Sequence, residues 1–387
     1  MKNKLASMKR RSALLFSVIL SGILVLGLII NVIWPDRDHS NVENRPLQTF
    51  PALQLQSLED GSWTRNMTNW FSDQFVGRNL YFHLNYLLKK GTGIRKIDDV
   101  YLGKGALIQE AGAPNEALMS QKAQTIQAFH ARFPLNTSVM IVPTAAQIDQ
   151  DKLPPFAPGA FEQQTIDSFY SQLPEDIHAL DVGKTLEKNQ NKYQYYKTDH
   201  HWTSLGAYHA AKQFLKSQGM EIAYSDYERM PVSNSFRGIL ESKTGSVFLK
   251  DTIDIYVAKN NPDYLVTYNN DGNPVPTIYD DEALHRKDQY EVFFGGNDSL
   301  VQINLNTDST RHLLIFKDSY ANSMIQFLLP YYRSITIVDP RYYYDDITRL
   351  IESDMITDVL FLYNYNSFQT DTSLLDVLNS AIQTANQ

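Results

Sequence analysis

The stretch LLIFKDSYANSM (Leu313–Met324) decides the fold. Its short apolar run, bounded by His312 and Lys317, reads as a strand buried on both faces. Lys317, Asp318 and Ser319 then occupy the turn before a helix expected from Ala321 to Leu329. The alternation continues with strand SITIVD (Ser334–Asp339), a helix at Asp345–Ser353, strand DVLFLYN (Asp358–Asn364) and a last helix at Thr372–Thr384. Upstream it runs through a helix at Asn115–Phe133, strand SVMIV (Ser138–Val142), a helix at Phe161–Gln172 and a strand at His178–Val182. A further helix opens at Thr203, its expected N-cap, with Leu205, Tyr208, Ala211, Phe214 and Leu215 on one face. Short apolar strands alternating with helices predict an α/β fold, a parallel sheet flanked by helices, whose chemistry sits beyond the carboxyl ends of the strands. Residues 224–306, rich in Tyr, Val, Thr, Asn, Asp and Gly, break the rhythm and predict an inserted β-rich subdomain. Ile97–Ile108, with Gly103 and Gly105, reads as a hairpin.

The N-terminus sets where such a body works. Lys2, Lys4, Lys9, Arg10 and Arg11 precede Ala13–Ile33, which carries no charge. About 20 apolar residues at ~1.5 Å each match the ~30 Å hydrocarbon thickness, and Trp34 stands where an interfacial aromatic belongs. Residues 1–12 are therefore expected to be a cytoplasmic basic tail and 13–33 a transmembrane anchor. A cleaved signal is the alternative, disfavoured by the length and by the missing small-residue cleavage site. The positive-inside rule puts the remainder outside the cytoplasm. Residues 34–57, with Pro35, Pro46 and Pro51, read as a linker, and residues 58–387 as the extracytoplasmic domain, opening with a helical pair at Leu58–Lys90.

Composition removes several classes. The 387 residues carry a net charge of −8, and removing the five N-terminal positive charges leaves −13, so nucleic acid is not an expected partner. The absence of cysteine excludes disulfide scaffolds, thiol catalysis, zinc fingers and iron–sulfur clusters. Catalysis must use oxygen or nitrogen nucleophiles, or a metal held by His and carboxylates.

Two constellations can carry chemistry. In YYKTDHHWTSLGAY (Tyr195–Tyr208), Asp199 and His201 lie in the extended turn before a helix and can point into one cleft. The carboxylate would orient the ring and stabilise imidazolium, leaving the other nitrogen as a base. His200 is expected to point elsewhere. Packing at a helix start is the plainer reading, and a metal bound by Asp199 and the two histidines ranks lower, since adjacent residues rarely both reach one ion. In the second constellation, Ser319 at the strand's carboxyl end has backbone N–H groups and a helix terminus beside it, as a serine nucleophile and its oxyanion site require. An ordinary N-cap is the plainer reading there.

Together, TDHHWTSLGAY and FKDSYANS resemble the DHHW family of exported bacterial proteins, related to the alginate O-acetylation proteins in a permuted branch of the SGNH hydrolase superfamily. VENRPLQTFP (Val42–Pro51), FSDQFVGR (Phe71–Arg78) and YLGKGALI (Tyr101–Ile108) fit the same pattern. The resemblance implies an SGNH hydrolase-like domain with Asp199 and His201 as acid and base and Ser319 as nucleophile; Lys317 stands where the family's related Gly-Asp-Ser segment has glycine. The Ser319 N–H is the first candidate oxyanion donor and the Asn322 side chain the second, with a place on the helix surface as the alternative for Asn322. SFRGILESKTGS (Ser235–Ser246) resembles a family stretch at the active-site rim, where Arg237, Ser242 and Lys243 are candidate contacts for a polar substrate, with a solvated loop as the alternative. Tyr193, Tyr195, Tyr196 and Trp202 offer faces for sugar rings, with core packing as the alternative.

The implied activity is O-acetylation of a secreted or cell-wall polysaccharide, with acetyl passed across the membrane by a polytopic membrane-bound O-acyltransferase and with no cofactor or metal. An acetyl esterase using the same three residues is the first alternative. A non-catalytic polysaccharide-binding export scaffold, which Lys317 favours, is the second.

Overall fold

The computed structural model describes residues 2–158, 161–269 and 272–383, which form two compact units meeting at Thr92 and Gly93. The end of the expected last helix, Thr384, lies outside the described residues.

In the N-terminal unit, Lys2–Ile33 is one helix. Its segment Arg11–Ile33 is the one helix among the described residues long and apolar enough to cross a membrane. The proline-containing stretch after it is fastened rather than free. The Trp70 indole donates to Asp36 Oδ1 (2.9 Å), and Arg45 donates to both oxygens of Asp73 (2.5 and 3.1 Å). Arg78 closes the cluster on Glu43, so VENRPL and FSDQFVGR are held together by charge-assisted hydrogen bonds. The expected helical pair is present as Ser62–Gln74 and Arg78–Gly91.

The C-terminal unit is built on strands β1 (Asn136–Val142), β2 (His178–Ala179), β3 (Tyr264–Tyr268), β4 (Leu300–Leu305), β5 (His312–Lys317), β6 (Ser334–Val338) and β7 (Asp358–Asn364). They form one seven-stranded sheet in the order β3-β4-β6-β5-β7-β1-β2. Pairing is parallel from β6 through β2 and antiparallel at β4 and β3. The unbroken apolar strands reflect cover on both faces. Leu313, Ile315, Leu360 and Leu362 pack with Ala207, Tyr208, Ala211 and Phe214 of helix Ser204–Ser217. Leu314, Phe316, Val359 and Phe361 face Ile126 and Phe129 of helix Glu116–Arg132. Thr203 caps Ser204–Ser217 as expected, its side chain accepting from Gly206 N.

Three local expectations are corrected. The segment 224–306 divides: Tyr227–Phe236 and Asp251–Ala258 pair as a separate ribbon, whereas β3 and β4 extend the main sheet. The hairpin near Ile97 is a three-stranded antiparallel sheet. The continuous helix from Ala321 to Leu329 is instead a 3₁₀ turn, Ser319–Ala321, followed by the short helix Asn322–Ile325. Two distant donors take carbonyls of this turn, the Trp202 indole at Tyr320 O (2.9 Å) and Tyr290 Oη 3.0 Å from Ser319 O, and locally Gln326 Nε2 donates to Ser323 O (2.5 Å).

The Phe316 and Phe361 rings stack at 5.0 Å between β5 and β7, both fully buried. Phe361→Ala is expected to destabilise the C-terminal unit by about 3–5 kcal/mol, read by chemical denaturation; a loss under about 1 kcal/mol would contradict this packing.

Candidate active site

The site forms where the turn after β5 meets the loop before helix Ser204–Ser217. Ser319 and His201, 118 positions apart, approach to 2.7 Å between Oγ and Nε2. The opposite ring nitrogen, Nδ1, lies 2.6 Å from Asp199 Oδ1. That same oxygen accepts the His201 backbone N–H (3.0 Å), and Asp199 Oδ2 accepts Ile239 N–H (2.9 Å). Asp199 and His201 are buried, while Ser319 is half-buried. Burial alone would raise the Asp199 carboxyl, but electrostatic interaction with the neighbouring His201 and His200 rings and the hydrogen bonds from His201 outweigh it. The group is held well below the usual carboxylate range.

Gly238 makes this burial possible. A Cβ there would lie 2.2 Å from Asp199 Oδ2 and 2.4 Å from its Cβ, closer than side-chain atoms can approach. Thr198 Oγ1 accepts the Gly238 N–H (3.0 Å), and helix Ile239–Thr244 begins directly beyond.

His200 does not point elsewhere. Its ring centroid is 4.0 Å from that of His201, and its Nδ1 lies 3.6 Å from Asp199 Oδ1. Desolvation, then the neighbouring His201, pushes the His200 imidazole down to about 3, leaving it neutral at physiological pH. Asp199, His200 and His201 place ligand atoms within 4.8 Å of one another, near enough to hold an ion. Both His201 ring nitrogens already have partners, however, so a metal would have to replace one of these hydrogen bonds.

The other expected contacts are placed as follows. Trp202 is fully buried and holds the Tyr320 carbonyl, so it presents no face to a sugar. Tyr195 and Tyr196 are likewise buried, which corrects their reading as sugar platforms. Asn322 is buried, and its Nδ2 donates to Gly296 O (3.2 Å). Lys243 is paired with Asp99 (2.7 and 3.0 Å), and the partly exposed Arg237 lies 3.7 Å from Glu241. Ser242 is buried.

Lys317 leaves the serine turn altogether. Its ammonium, buried beneath the site, donates to Asn297 Oδ1 (2.7 Å) and lies 3.3 Å from Asp339, which Arg341 also grips (2.6 and 2.8 Å). Desolvation lowers the Lys317 pKa despite Asp339.

Tyr290 at the site and Asn297 beside Lys317 escaped the sequence reading. The Tyr290 ring stacks on His201 at 3.8 Å with an 11° interplanar angle, and its hydroxyl reaches the Ser319 carbonyl. Asn297 has its side-chain oxygen fixed by Lys317, while its Nδ2 makes no hydrogen bond among the described residues; the Ser319 N–H is equally unpaired. The readable signal was Gly295–Gly296, both at positive φ (73° and 132°), a turn that delivers Asn297 to this edge of the sheet.

The DHHW protein family matches residues 117–338. No curated protein matches the sequence. A crystal structure of a DHHW family protein from Eubacterium siraeum superposes with a TM-score of 0.62 at 26% identity, covering 73% of this chain and 98% of that one. Bacillus cereus PatB1, solved with a sulfonyl adduct, gives 0.61 at 20% identity over 72% and 99%. The O-acetyltransferase domain of Pseudomonas putida AlgJ gives 0.45 at 13% identity over 73% and 99%.

Gly238→Ala is expected to displace Asp199 and slow modification of Ser319 by a sulfonyl fluoride at least about tenfold, with the fold intact by circular dichroism. Unchanged labelling would show that Asp199 does not hold His201 in its working position.

Proposed function

The chain belongs to the DHHW family, and from that premise and the geometry at Ser319 we propose that it is an extracytoplasmic O-acetyltransferase acting on a secreted or cell-wall polysaccharide. The observation that carries this reading is the hydrogen-bond series from Ser319 Oγ through both His201 nitrogens to a buried, ionised Asp199. A serine hydrogen-bonded to an imidazole whose other nitrogen is held by a carboxylate is equipped for acyl transfer. The family resemblance supplies acetyl as the acyl group and polysaccharide as the acceptor.

Ser319 Oγ attacks the donor carbonyl while its proton passes to His201 Nε2. Asp199 remains ionised and stabilises the imidazolium. The Ser319 N–H and Asn297 Nδ2 are the donors assigned to the developing oxyanion, the latter oriented by Lys317. His201 protonates the leaving group as the carbonyl re-forms, giving an acetyl-serine. A sugar hydroxyl then attacks, its proton passes to His201, and collapse returns that proton to Ser319.

The apolar helix Arg11–Ile33 supports single-pass anchoring with residues 34 onward outside the cytoplasm. Acetyl-CoA is cytoplasmic, so the donor is assigned to a polytopic membrane-bound O-acyltransferase that passes acetyl across the bilayer.

The test combines the purified protein with an activated acetyl ester, with and without oligosaccharide acceptors. Acetylated oligosaccharide is expected, and Ser319→Ala is expected to abolish it while leaving the protein folded. Hydrolysis indifferent to added sugar would favour an esterase, and activity surviving in Ser319→Ala would remove the serine mechanism. Asn297→Ala is expected to lower the acylation rate about 100-fold, the effect of losing one oxyanion donor; a change under about threefold would reject its role.

A further inference from the structure

Helix Arg78–Gly91 carries an apolar stripe that is exposed among the described residues. Leu80, Tyr81, Leu84 and Leu88 recur at helical spacing and are 61%, 57%, 40% and 68% exposed. Phe75 and Val76, just before the helix, are also exposed. The depth of this helix start is set by the first helix: Val76 N–H donates to Asn31 Oδ1 (3.1 Å), and Asn31 is a buried residue two positions inside the helix end at Ile33. The join continues with Arg37 N–H to Gln74 Oε1 (3.0 Å) and Gln74 Nε2 to Arg37 O (2.9 Å). If Arg11–Ile33 crosses the bilayer, Phe75 and Val76 are fixed within one turn of its outer end, at the headgroup boundary. The helix also carries Lys89 and Lys90 in its last turn and no acidic residue, so with Arg78 already paired to Glu43 these two lysines are the charges that suit anionic headgroups.

We propose that helix Arg78–Gly91 lies on the outer leaflet of the membrane, with Leu80, Tyr81, Leu84 and Leu88 dipping into the boundary between headgroups and acyl chains. The contact gives the chain a second hold on the membrane and fixes the helical pair against the bilayer surface instead of letting it swing on a tether. This inference rests on the anchoring part of the proposed function.

The chain has no cysteine, so Leu84→Cys, Leu88→Cys, Asn85→Cys and Leu20→Cys each accept one environment-sensitive fluorophore. The full-length variants are reconstituted in phosphatidylglycerol–phosphatidylethanolamine vesicles and titrated with aqueous iodide. Labels at 84 and 88 are expected to be quenched about threefold less than the label at the exposed polar position 85, and to be quenched by nitroxide-bearing lipids, independently of protein-to-lipid ratio. Equal access for iodide at 84, 85 and 88, with position 20 shielded, would overturn the surface contact alone. Iodide access at position 20 would overturn the anchor reading and this inference with it. Protection of 84 and 88 that disappears on dilution into excess lipid would identify a second copy as the cover and overturn the lipid assignment.

Discussion

A carboxylate withdrawn from water must have its oxygens satisfied by donors, because an uncompensated buried charge costs several kcal/mol. At Asp199 this requirement organises the carboxyl edge of the sheet. Oδ1 takes the ring and the backbone N–H of His201, and Oδ2 takes the N–H that opens helix Ile239–Thr244. Those bonds leave no volume for a side chain at position 238, and they fix the ring so that its far nitrogen meets Ser319. Tyr290 limits the ring from its face and reaches the Ser319 carbonyl with its hydroxyl, tying base and serine through one residue.

The serine is set by the sheet. Parallel neighbours on both sides of β5 and helix-covered faces leave the turn at its carboxyl end little freedom, and Asp318 fixes that turn by capping Tyr320 N–H (2.9 Å) and accepting Asn364 N–H (2.9 Å). Beneath it, the Asp339 carboxylate balances Lys317 and Arg341, and Lys317 in turn orients Asn297. A lysine at this position does not disturb the serine turn, because its side chain runs away from it into that network.

Much of this was legible in the chain. Unbroken apolar strands such as Leu313–Phe316 and Val359–Leu362 announce a doubly covered parallel sheet, and Thr203 announces its helix. Asp199, His201 and Ser319 were candidates by residue type and placement before helices, where packing and an N-cap were the plainer readings, and it was the family resemblance that singled them out. Less legible was whatever depends on side chains meeting across long separations. The turn after Ser319 gives carbonyls to Trp202 and Tyr290, partners that local propensity does not register. Trp202 looked like a ligand platform because aromatic residues suit both cores and sugars, and only packing decides between them. Asn297 and Tyr290 lie in a stretch that reads simply as turns and strands, so their approach to the site is a property of tertiary structure.

The proposed activity requires that Ser319 become covalently acylated through a base held by Asp199. Peptide mass spectrometry of the full-length protein, quenched in acid after brief exposure to an activated acetyl ester, tests it most directly. An addition of about 42 Da, one acetyl group, is expected on Ser319 alone and is expected to disappear in His201→Ala. Label spread over lysines with Ser319 unmodified, or undiminished acetyl-Ser319 without the imidazole, would contradict it.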